Sequence, residues 1–328
     1  MARGLAQAAW WIGLAALLAP PAFAAPPSEL VLKAQDGQII DGWINNQPVR
    51  LRVDPESPGY VILNRDAAWR LRLYPSVTSA ATIIGPVRIA GSSRIARVVV
   101  GEVSSIRRVV WTDREAVQGA DGIISPADLP VDRVTLQFRR PGPGETQFEL
   151  PMTFSPNLGL YHRAAVGGSF IDYRISTARP ATVSTAAAGA LLAKEYGGAW
   201  SGDAREMMIK YGIIRPVRPL VLDRPSPFAN QPMSRLLVRT SDHRGTAELP
   251  VDPSPDPDEI VVTGNRGRQQ ARYMISLGLD WLSPCSSISW NNRTRRMTLT
   301  CTMSEGASAP SAGLAAAPLD PLGRLSRR

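Results

Sequence analysis

Short apolar runs separated by turn-forming residues extend along the chain from about residue 38. The runs are rich in β-branched and aromatic residues, with Gly, Pro, Asn and Ser between them, which is typical of an all-β barrel or sandwich. The predicted strands cover residues 39–44, 49–53, 60–63, 81–84, 95–103, 106–111, 134–138, 148–152, 169–175, 213–222, 235–240, 259–263 and 273–277, followed by a hairpin. Two helices are predicted, from residue 65 to about 71 after Asn64, and from 186 to about 196 after Ser184 or Thr185.

The chain also contains an internal repeat. Residues 52–54 align with residues 174–176, and the matches continue through a polar turn, a short strand and a capped helix in both copies. The shared order of elements favours two related lobes. We therefore expect a first lobe at 38–140, a connection rich in Pro and Gly at 141–168, and a second lobe at 169–301, with an N-terminal extension at 25–37.

The two ends of the chain have a different composition. Residues 1–24 have the basic start, apolar core and small-residue end of a secretory signal peptide. A membrane anchor is the alternative, but the apolar run is shorter than the roughly 18 residues that a span needs. We expect a periplasmic or secreted protein with no membrane span in the mature chain. Residues 302–328 have few large apolar residues and are expected to be disordered.

The net charge of +9 points to no particular partner. The basic residues are scattered, and no block of them is interleaved with aromatic residues as a nucleic-acid surface requires, so no nucleic-acid partner is expected. His162 and His243 have no nucleophile motif or metal-ligand spacing near them, and no glycine loop of the phosphate-binding type occurs. No metal site and no cofactor are expected.

The two cysteines are predicted to form a disulfide. A hairpin centred on Arg293 places Cys285 opposite Cys301, and an exported compartment permits oxidation. Closing a loop of about 15 residues stabilises the folded chain by about 3 kcal/mol.

Residues 50–63 carry the main chemical signal. An apolar strand leads into an acidic turn at Asp54 and returns as a second apolar strand. A carboxylate between two buried strands requires a partner or a chemical role, because an unpaired buried charge is costly.

Both copies of the repeat resemble the active-site loops of retropepsin-like and pepsin-like aspartic peptidases, specifically their bacterial exported two-lobed members. The residues that carry the resemblance are the first loop 53–57 with 60–63, its backing segment 122–125 with Leu129, the second loop 175–178 with 182–184, and the second backing segment 277–282. The resemblance implies an all-β fold of two pseudo-symmetric acid-protease-like β-barrel lobes with a cleft between them.

In that family two carboxylates, one from each loop, share a proton and activate water. The resemblance places Asp54 at the first catalytic position and Ser176 at the second, and it places Ser57 and Thr177 at substrate-binding positions. A serine hydroxyl does not share a proton with a carboxylate at neutral pH. The sequence therefore predicts a catalytically degenerate site.

Two further substitutions change the first loop. Pro55 stands where the family has the threonine that braces one loop against the other, and Glu56 stands where it has a glycine. In an extended segment the side chains of Asp54 and Glu56 point to the same side, so Glu56 is a candidate substitute for the missing carboxylate. A solvated acidic residue in a turn is the alternative.

A segment after an acidic, Pro-rich stretch resembles the TonB box of outer-membrane receptors. Its candidate partner-binding residues are Glu259, Ile260, Val261, Val262 and Thr263. An extended, β-branched and exposed segment is suited to strand addition onto a partner such as TonB. An ordinary strand of the second lobe is the alternative.

Three functions remain open from the sequence. The first is a catalytically degenerate relative of aspartic peptidases that binds an extended peptide or protein segment in the cleft. The second is an active aspartic endopeptidase with a non-standard dyad that includes Asp54. The third is a periplasmic interaction protein that uses the TonB-box-like strand. A second carboxyl within hydrogen-bonding distance of Asp54 separates the first two.

Overall fold

The computed structural model describes residues 29–76, 80–85, 87–229, 231–242 and 271–302. The predicted signal peptide, the TonB-box-like segment 259–263, His243 and the tail from residue 303 onward lie outside the described residues. Within the described ranges, none of the helices has both the length and the hydropathy that crossing a bilayer requires.

The fold is all-β, as predicted. The strands of the N-terminal part are β1 (Glu29–Lys33), β2 (Ile39–Ile44), β3 (Gln47–Val53), β4 (Val61–Leu63), β5 (Ala80–Ile84), β6 (Val87–Val100), β7 (Val103–Thr112), β8 (Gly122–Ile124) and β9 (Arg133–Gln137). Those of the C-terminal part are β10 (Glu145–Pro151), β11 (Thr153–Ser155), β12 (Gly159–Val166), β13 (Ser169–Ile175), β14 (Val183–Ser184), β15 (Ala199–Trp200), β16 (Arg205–Lys210), β17 (Ile213–Phe228), β18 (Gln231–Arg239), β19 (Met274–Leu277), β20 (Cys285–Asn291) and β21 (Arg296–Thr302). The helices are α1 (Arg65–Arg70), α2 (Ala186–Tyr196) and α3 (Leu279–Leu282), with short 3-10 turns at Ala34–Asp36 and Pro126–Asp128.

The first lobe is a closed sheet. Its strands lie in the order β2-β3-β8-β4-β7-β6-β5, and β2 also pairs with β6, so the sheet closes into a barrel. Along β3, the buried residues Val49, Leu51 and Val53 alternate with more exposed ones. This alternation follows from the two-residue period of a strand, and it directs one face of β3 into the core.

The second lobe repeats the central strands of the first. Its sheet has the order β11-β12-β13-β19-β14-β18-β17-β15, with β16 paired to β17. In the first lobe, β3 is parallel to β8, β8 is antiparallel to β4, and β4 is parallel to β7. In the second lobe, β13 is parallel to β19, β19 is antiparallel to β14, and β14 is parallel to β18. These matching pairings confirm the pseudo-symmetric relation that the repeat predicted.

A third sheet combines strands from both halves of the chain, in the order β1-β9-β20-β21-β10. β1 lies within the segment 25–37 that was predicted as an extension, and β10, β11 and β12 lie within the predicted connection 141–168. The sequence predicted the strand at 148–152 that overlaps β10, but it predicted no strand at β1, β11 or β12. Their partners, such as β21 for β10, are distant in the chain.

Cys285 and Cys301 form the predicted disulfide. Their hairpin does not have the predicted register throughout, because residues 287–291 pair one position further along β21. The Asn291 side chain accepts a hydrogen bond from the backbone N–H of Arg293 at 3.0 Å, and the loop 292–295 separates the strands. A bulge between Cys285 and Ser287 then restores the pairing of the two cysteines.

Both predicted helices are present as α1 and α2. Thr185 caps α2, because its side chain accepts a hydrogen bond from the backbone N–H of Ala188 at 3.3 Å. Asn64 precedes α1 but its side chain makes no capping hydrogen bond. It binds the backbone of the loop before β8 instead, so the two lobes use this position differently.

Candidate functional site

The first loop, residues 54–57, is a closed turn after β3. The backbone N–H of Asp54 donates to the carbonyl of Ile124 at 2.9 Å, which fixes the loop to β8. The N–H of Glu56 donates to Asp54 Oδ1 at 2.8 Å, and the N–H of Ser57 donates to the Asp54 carbonyl at 2.9 Å. Pro55 fits such a turn, because its fixed φ suits the second position. The extended geometry that the sequence suggested for residues 54–56 is therefore replaced by a turn.

The second loop, residues 176–179, has the same main-chain anchor. The N–H of Ser176 donates to the carbonyl of Leu277 at 2.8 Å, as Asp54 does to Ile124. Ser176 is buried, and its Oγ has no hydrogen-bond partner among the described residues. The Thr177 hydroxyl donates to Gln38 Oε1 at 2.9 Å, which connects the second loop to the first lobe.

The predicted binding residues are occupied or enclosed. Ser57 is fully buried, and its Oγ also lacks a partner within the described part of the chain. The hydroxyl of Thr177 is engaged by Gln38. Neither predicted substrate-binding side chain therefore presents a free group to the space between the lobes in this conformation.

Glu56 is held by the second lobe. Its Oε2 forms an ion pair with Arg179 Nη2, and its Oε1 accepts a hydrogen bond from the Ser276 hydroxyl. The Glu56 and Arg179 side chains are only 6% and 11% exposed. Both carboxylate oxygens are thus committed to residues across the interface, and the hypothesis that Glu56 replaces the missing catalytic carboxylate loses its geometric basis.

The charges around Glu56 decide its protonation. Burial alone raises the pKa of Glu56, but the charges of Arg179, Arg174 and Lys210 and the hydrogen bond from Ser276 lower that pKa well below its usual range. Glu56 is therefore an anion at neutral pH, fixed in a cationic environment.

Lys210 brings a further cation to the first loop. Its Nζ lies 3.8 Å from Asp54 Oδ2 and donates to the Glu56 carbonyl at 3.2 Å. Lys210 ends β16, and Tyr211 and Gly212 form the turn to β17 with φ of 53° and 68°. Burial lowers the pKa of Lys210, although Asp54 and Glu56 oppose this effect.

The tip of the β16–β17 hairpin enters the first lobe. Tyr211 and Ile213 belong to one buried apolar cluster with Ile62, Ile84 and Ile123 of the first lobe. Burial also raises the pKa of the Tyr211 hydroxyl. The hairpin therefore packs on the first lobe through apolar side chains and positions Lys210 beside Asp54.

A cavity of about 170 Å³ lies between the lobes. Glu56, Tyr60 and Ile84 line it from the first lobe, and Arg174, Arg179 and Lys210 line it from the second. The site thus has acidic groups on one loop and basic groups from the other lobe. Such an arrangement can bind charged groups.

Sequence reasoning located Asp54, Ser176 and the loops around them, but it missed Arg174, Arg179 and Lys210. Arg179 aligns with Ser57 in the repeat. The presence of an arginine where the other copy has a small residue was the sequence signal that could have identified Arg179. Of the predicted strands, only the TonB-box-like segment lies outside the described residues and stays a prediction.

The histidine that the structure describes has a structural contact. His162 Nδ1 lies 2.8 Å from the Pro151 carbonyl, and burial lowers the pKa of the imidazole. Among the described residues, no group of His, Cys, Asp and Glu has a metal-binding arrangement.

Comparison with known proteins gives a limited result. No family model matches the chain, and no curated protein matches it. Among solved structures, the chain is similar to the aspartic proteinase from Irpex lacteus, with 12% identity and a TM-score of 0.39. The match covers 82% of this chain and 96% of that chain. The strand pairings described above establish the all-β, two-lobed fold independently of this similarity.

Proposed function

We propose that this chain is an exported, catalytically degenerate relative of the aspartic peptidases that binds an extended peptide or protein segment between its lobes. The observation that carries the proposal is the pairing of Glu56 with Arg179 and Ser276 at the place where the two loops approach each other. Because both carboxylate oxygens of Glu56 are engaged by the second lobe, neither is free to act together with Asp54.

Loss of catalysis follows from the chemistry of the dyad. Aspartic peptidase chemistry needs one protonated and one ionised carboxyl that act as a unit. Ser176 supplies no carboxyl, and Asp54 has Lys210 as its charged neighbour. Removing one member of a catalytic unit removes most of the rate enhancement.

Peptide binding is supported by the cavity between the lobes and by its mixed lining. Apolar side chains such as Ile84 and Val183 lie beside the charged groups, and concave sites with a few polar groups are the usual form of a binding site. Export rests on the signal-peptide pattern of residues 1–24.

A binding experiment on the purified full-length chain tests this function. A library of unstructured peptides is passed over immobilised protein, and retained peptides are eluted and identified by mass spectrometry. We expect a subset to be retained and recovered intact. Failure to retain any peptide contradicts the binding function, and recovery of cleaved peptides contradicts the loss of catalysis.

A matched pair of variants locates the binding. Ile83 lines the cavity and is partly exposed, so Ile83→Trp should obstruct the cavity and reduce retention. Ile106 is exposed on β7 and does not line the cavity, so Ile106→Trp serves as the control. Equal retention by both variants would place the binding elsewhere.

A further inference from the structure

The sheet that combines strands from both halves of the chain ends at two edge strands, β1 and β10. An edge strand presents a row of backbone N–H and C=O groups with which another strand can pair. Natural proteins protect such edges with proline, or with charges that oppose pairing. The two edges of this sheet differ in that protection.

The edge at β10 is protected against pairing with a second copy of itself. Pro151 lies at the end of the strand and has no N–H to donate. The charged residues of β10 are Glu145 and Glu149, and the strand contains no basic residue. Two copies of β10 would therefore gain no ion pair from each other.

The edge strand β1 is anchored on one face and open on the other. Leu32 belongs to the main buried cluster, and Leu30 packs against that cluster. The alternate residues Glu29, Val31 and Lys33 are exposed, and the exposed fraction of Val31 is 52%. β9 pairs with one side of β1, and no strand among the described residues pairs with the other side. β1 therefore presents a β-branched apolar residue between two opposite charges at an open edge.

The two charges of β1 lie symmetrically about Val31. Glu29 precedes Val31 by two residues, and Lys33 follows it by two. In an antiparallel pair of two β1 strands centred on Val31, each Glu29 lies opposite the partner's Lys33. Opposite charges in such cross-strand pairs attract, whereas like charges repel. A parallel pair in the same register would place like charges opposite each other, so the charges favour the antiparallel arrangement.

Both charged side chains are available for this pairing. Lys33 is exposed and forms no ion pair among the described residues. Glu29 Oε1 accepts a hydrogen bond from the Thr135 hydroxyl at 2.7 Å, which fixes the carboxylate on the exposed face of the sheet. A carboxylate accepts several hydrogen bonds, so Oε2 can still accept one from a lysine.

We propose that two copies of this chain associate through antiparallel pairing of their β1 edges. The pairing has a two-fold axis at Val31 and joins the two sheets into one continuous sheet. Main-chain hydrogen bonds and the contact between the two Val31 side chains hold the strands together, and the charges determine their direction. A contact made by one five-residue strand is smaller than a standard interface, so the association is weak and reversible. This inference is independent of the proposed peptide binding.

Sedimentation velocity of the purified full-length chain over a concentration series tests the association. We expect a dimer whose population increases with protein concentration and decreases with added salt, because the ion pairs lie at the surface. Association stops at the dimer, because each copy has one β1 edge. A chain that stays monomeric at every concentration, or that grows into larger species, overturns the inference.

Charge reversal assigns the association to β1. Glu29→Lys gives the strand two positive charges, and Lys33→Glu gives it two negative charges. Each variant brings like charges together at both ends of the paired strands, so the dissociation constant of the dimer should rise about tenfold. Glu102→Lys makes the same charge change in an exposed turn outside β1 and serves as the control. A dimer that both β1 variants leave unchanged would overturn the assignment to this edge.

Recombining the two variants tests the register of the pair. An equal mixture of the Glu29→Lys and Lys33→Glu proteins places opposite charges together again, as does the variant that carries both changes. Both should restore the dissociation constant of the parent. A substitution that merely disturbs the fold is not rescued in this way. If neither the mixture nor the double variant restores association, the antiparallel pairing about Val31 is wrong.

Discussion

The loops at Asp54 and at Ser176 have the same main-chain frame and opposite chemistry. In each lobe the loop follows a strand, and its first N–H donates to the neighbouring backing strand at 2.9 Å in one lobe and 2.8 Å in the other. The first loop then presents the carboxylates of Asp54 and Glu56, whereas the second presents a hydroxyl and the guanidinium of Arg179. Apolar strands and main-chain hydrogen bonds therefore preserve a fold without preserving its charges.

The repeated arginines make the same point. Arg52 and Arg174 occupy equivalent positions before the two loops. Arg52 donates to the Gln118 carbonyl within its own lobe at 3.0 Å, whereas Arg174 donates across the interface to the Glu56 carbonyl. Arg174 has a partner in the opposite lobe and Arg52 does not, so equivalent positions in the two lobes make different contacts.

The largest effect is expected from breaking the ion pair that distinguishes the loops. Glu56→Gln leaves Arg179 as a buried cation without its counter-charge, so we expect a loss of about 3 to 5 kcal/mol in the free energy of unfolding. Urea denaturation measures this loss. Because the partners are coupled, the double variant with Arg179→Gln should lose less than the sum of the single losses.

An exposed pair supplies the control for that experiment. Glu149 and Arg296 form an ion pair at 2.6 Å with side chains that are 55% and 46% exposed. Glu149→Gln should change the free energy of unfolding by no more than about 0.5 kcal/mol. Comparable losses from Glu56→Gln and Glu149→Gln would mean that the cross-lobe pair has no special role.

A second difference concerns the residue before each helix. The Asn64 amide donates to the carbonyls of Val117 and Ala120 at 2.7 and 3.0 Å, and its oxygen accepts from the N–H of Ala116 at 2.7 Å. Asn64→Ala leaves several of these backbone groups without partners, so we expect a loss of about 2 to 3 kcal/mol.

Thr185 is the matching position in the second lobe. Thr185→Ala removes a helix cap and the hydrogen bonds that join the Thr185 hydroxyl to the Arg272 carbonyl and the Met274 N–H, so it should cost about 1 to 2 kcal/mol. Thermal and urea denaturation of the two variants compare the positions. If Thr185→Ala lowered the free energy of unfolding more than Asn64→Ala, the hydrogen bonds of Asn64 to the loop before β8 would not be the stronger of the two sets.

The sequence predicts the fold better than the site, because the signals for strands and helices are local and the contacts of the site are not. Period-two apolar alternation and turn residues are local signals, and they predicted β2, β13, both longer helices and the pairing of Cys285 with Cys301. The contact between Glu56 and Arg179 joins residues distant in the chain, and neither residue has a local pattern that specifies its partner. Lys210 reaches Asp54 only because the β16–β17 hairpin packs on the other lobe.

A pH-dependent effect is expected behind the loops, where Asp128 follows the first backing segment and Asp280 lies in the second. Asp280 accepts hydrogen bonds from the N–H and hydroxyl of Thr182 at 2.9 and 2.8 Å. Asp128 is buried, and its Oδ2 has no partner among the described residues. Burial raises the pKa of Asp128 to about 6, and Arg107 only partly opposes this.

The raised pKa of Asp128 makes its effect depend on pH. Between about pH 4 and pH 6 the unfolded chain releases this proton before the folded chain does, so the contribution of Asp128 to stability is lost as pH rises. Asp128→Asn should therefore be more stable than the parent by about 1 to 2 kcal/mol at neutral pH, and the gain should vanish near pH 4. Denaturation at a series of pH values measures the difference. If Asp128→Asn were more stable than the parent by the same amount at every pH, the raised pKa of Asp128 would not be the cause.

Peptide cleavage tests the central claim most directly. The full-length chain is incubated with a mixed peptide library from about pH 3 to about pH 8, a range whose lower end lies between the two pKa values of the carboxylate pair in pepsin. The Asp54→Asn variant is treated in parallel, and new chain ends are counted by mass spectrometry. The account predicts no difference between the two proteins at any pH, because Ser176 and the Glu56–Arg179 pair leave Asp54 without a catalytic partner. Cleavage by the parent chain that disappears in the Asp54→Asn variant would contradict it.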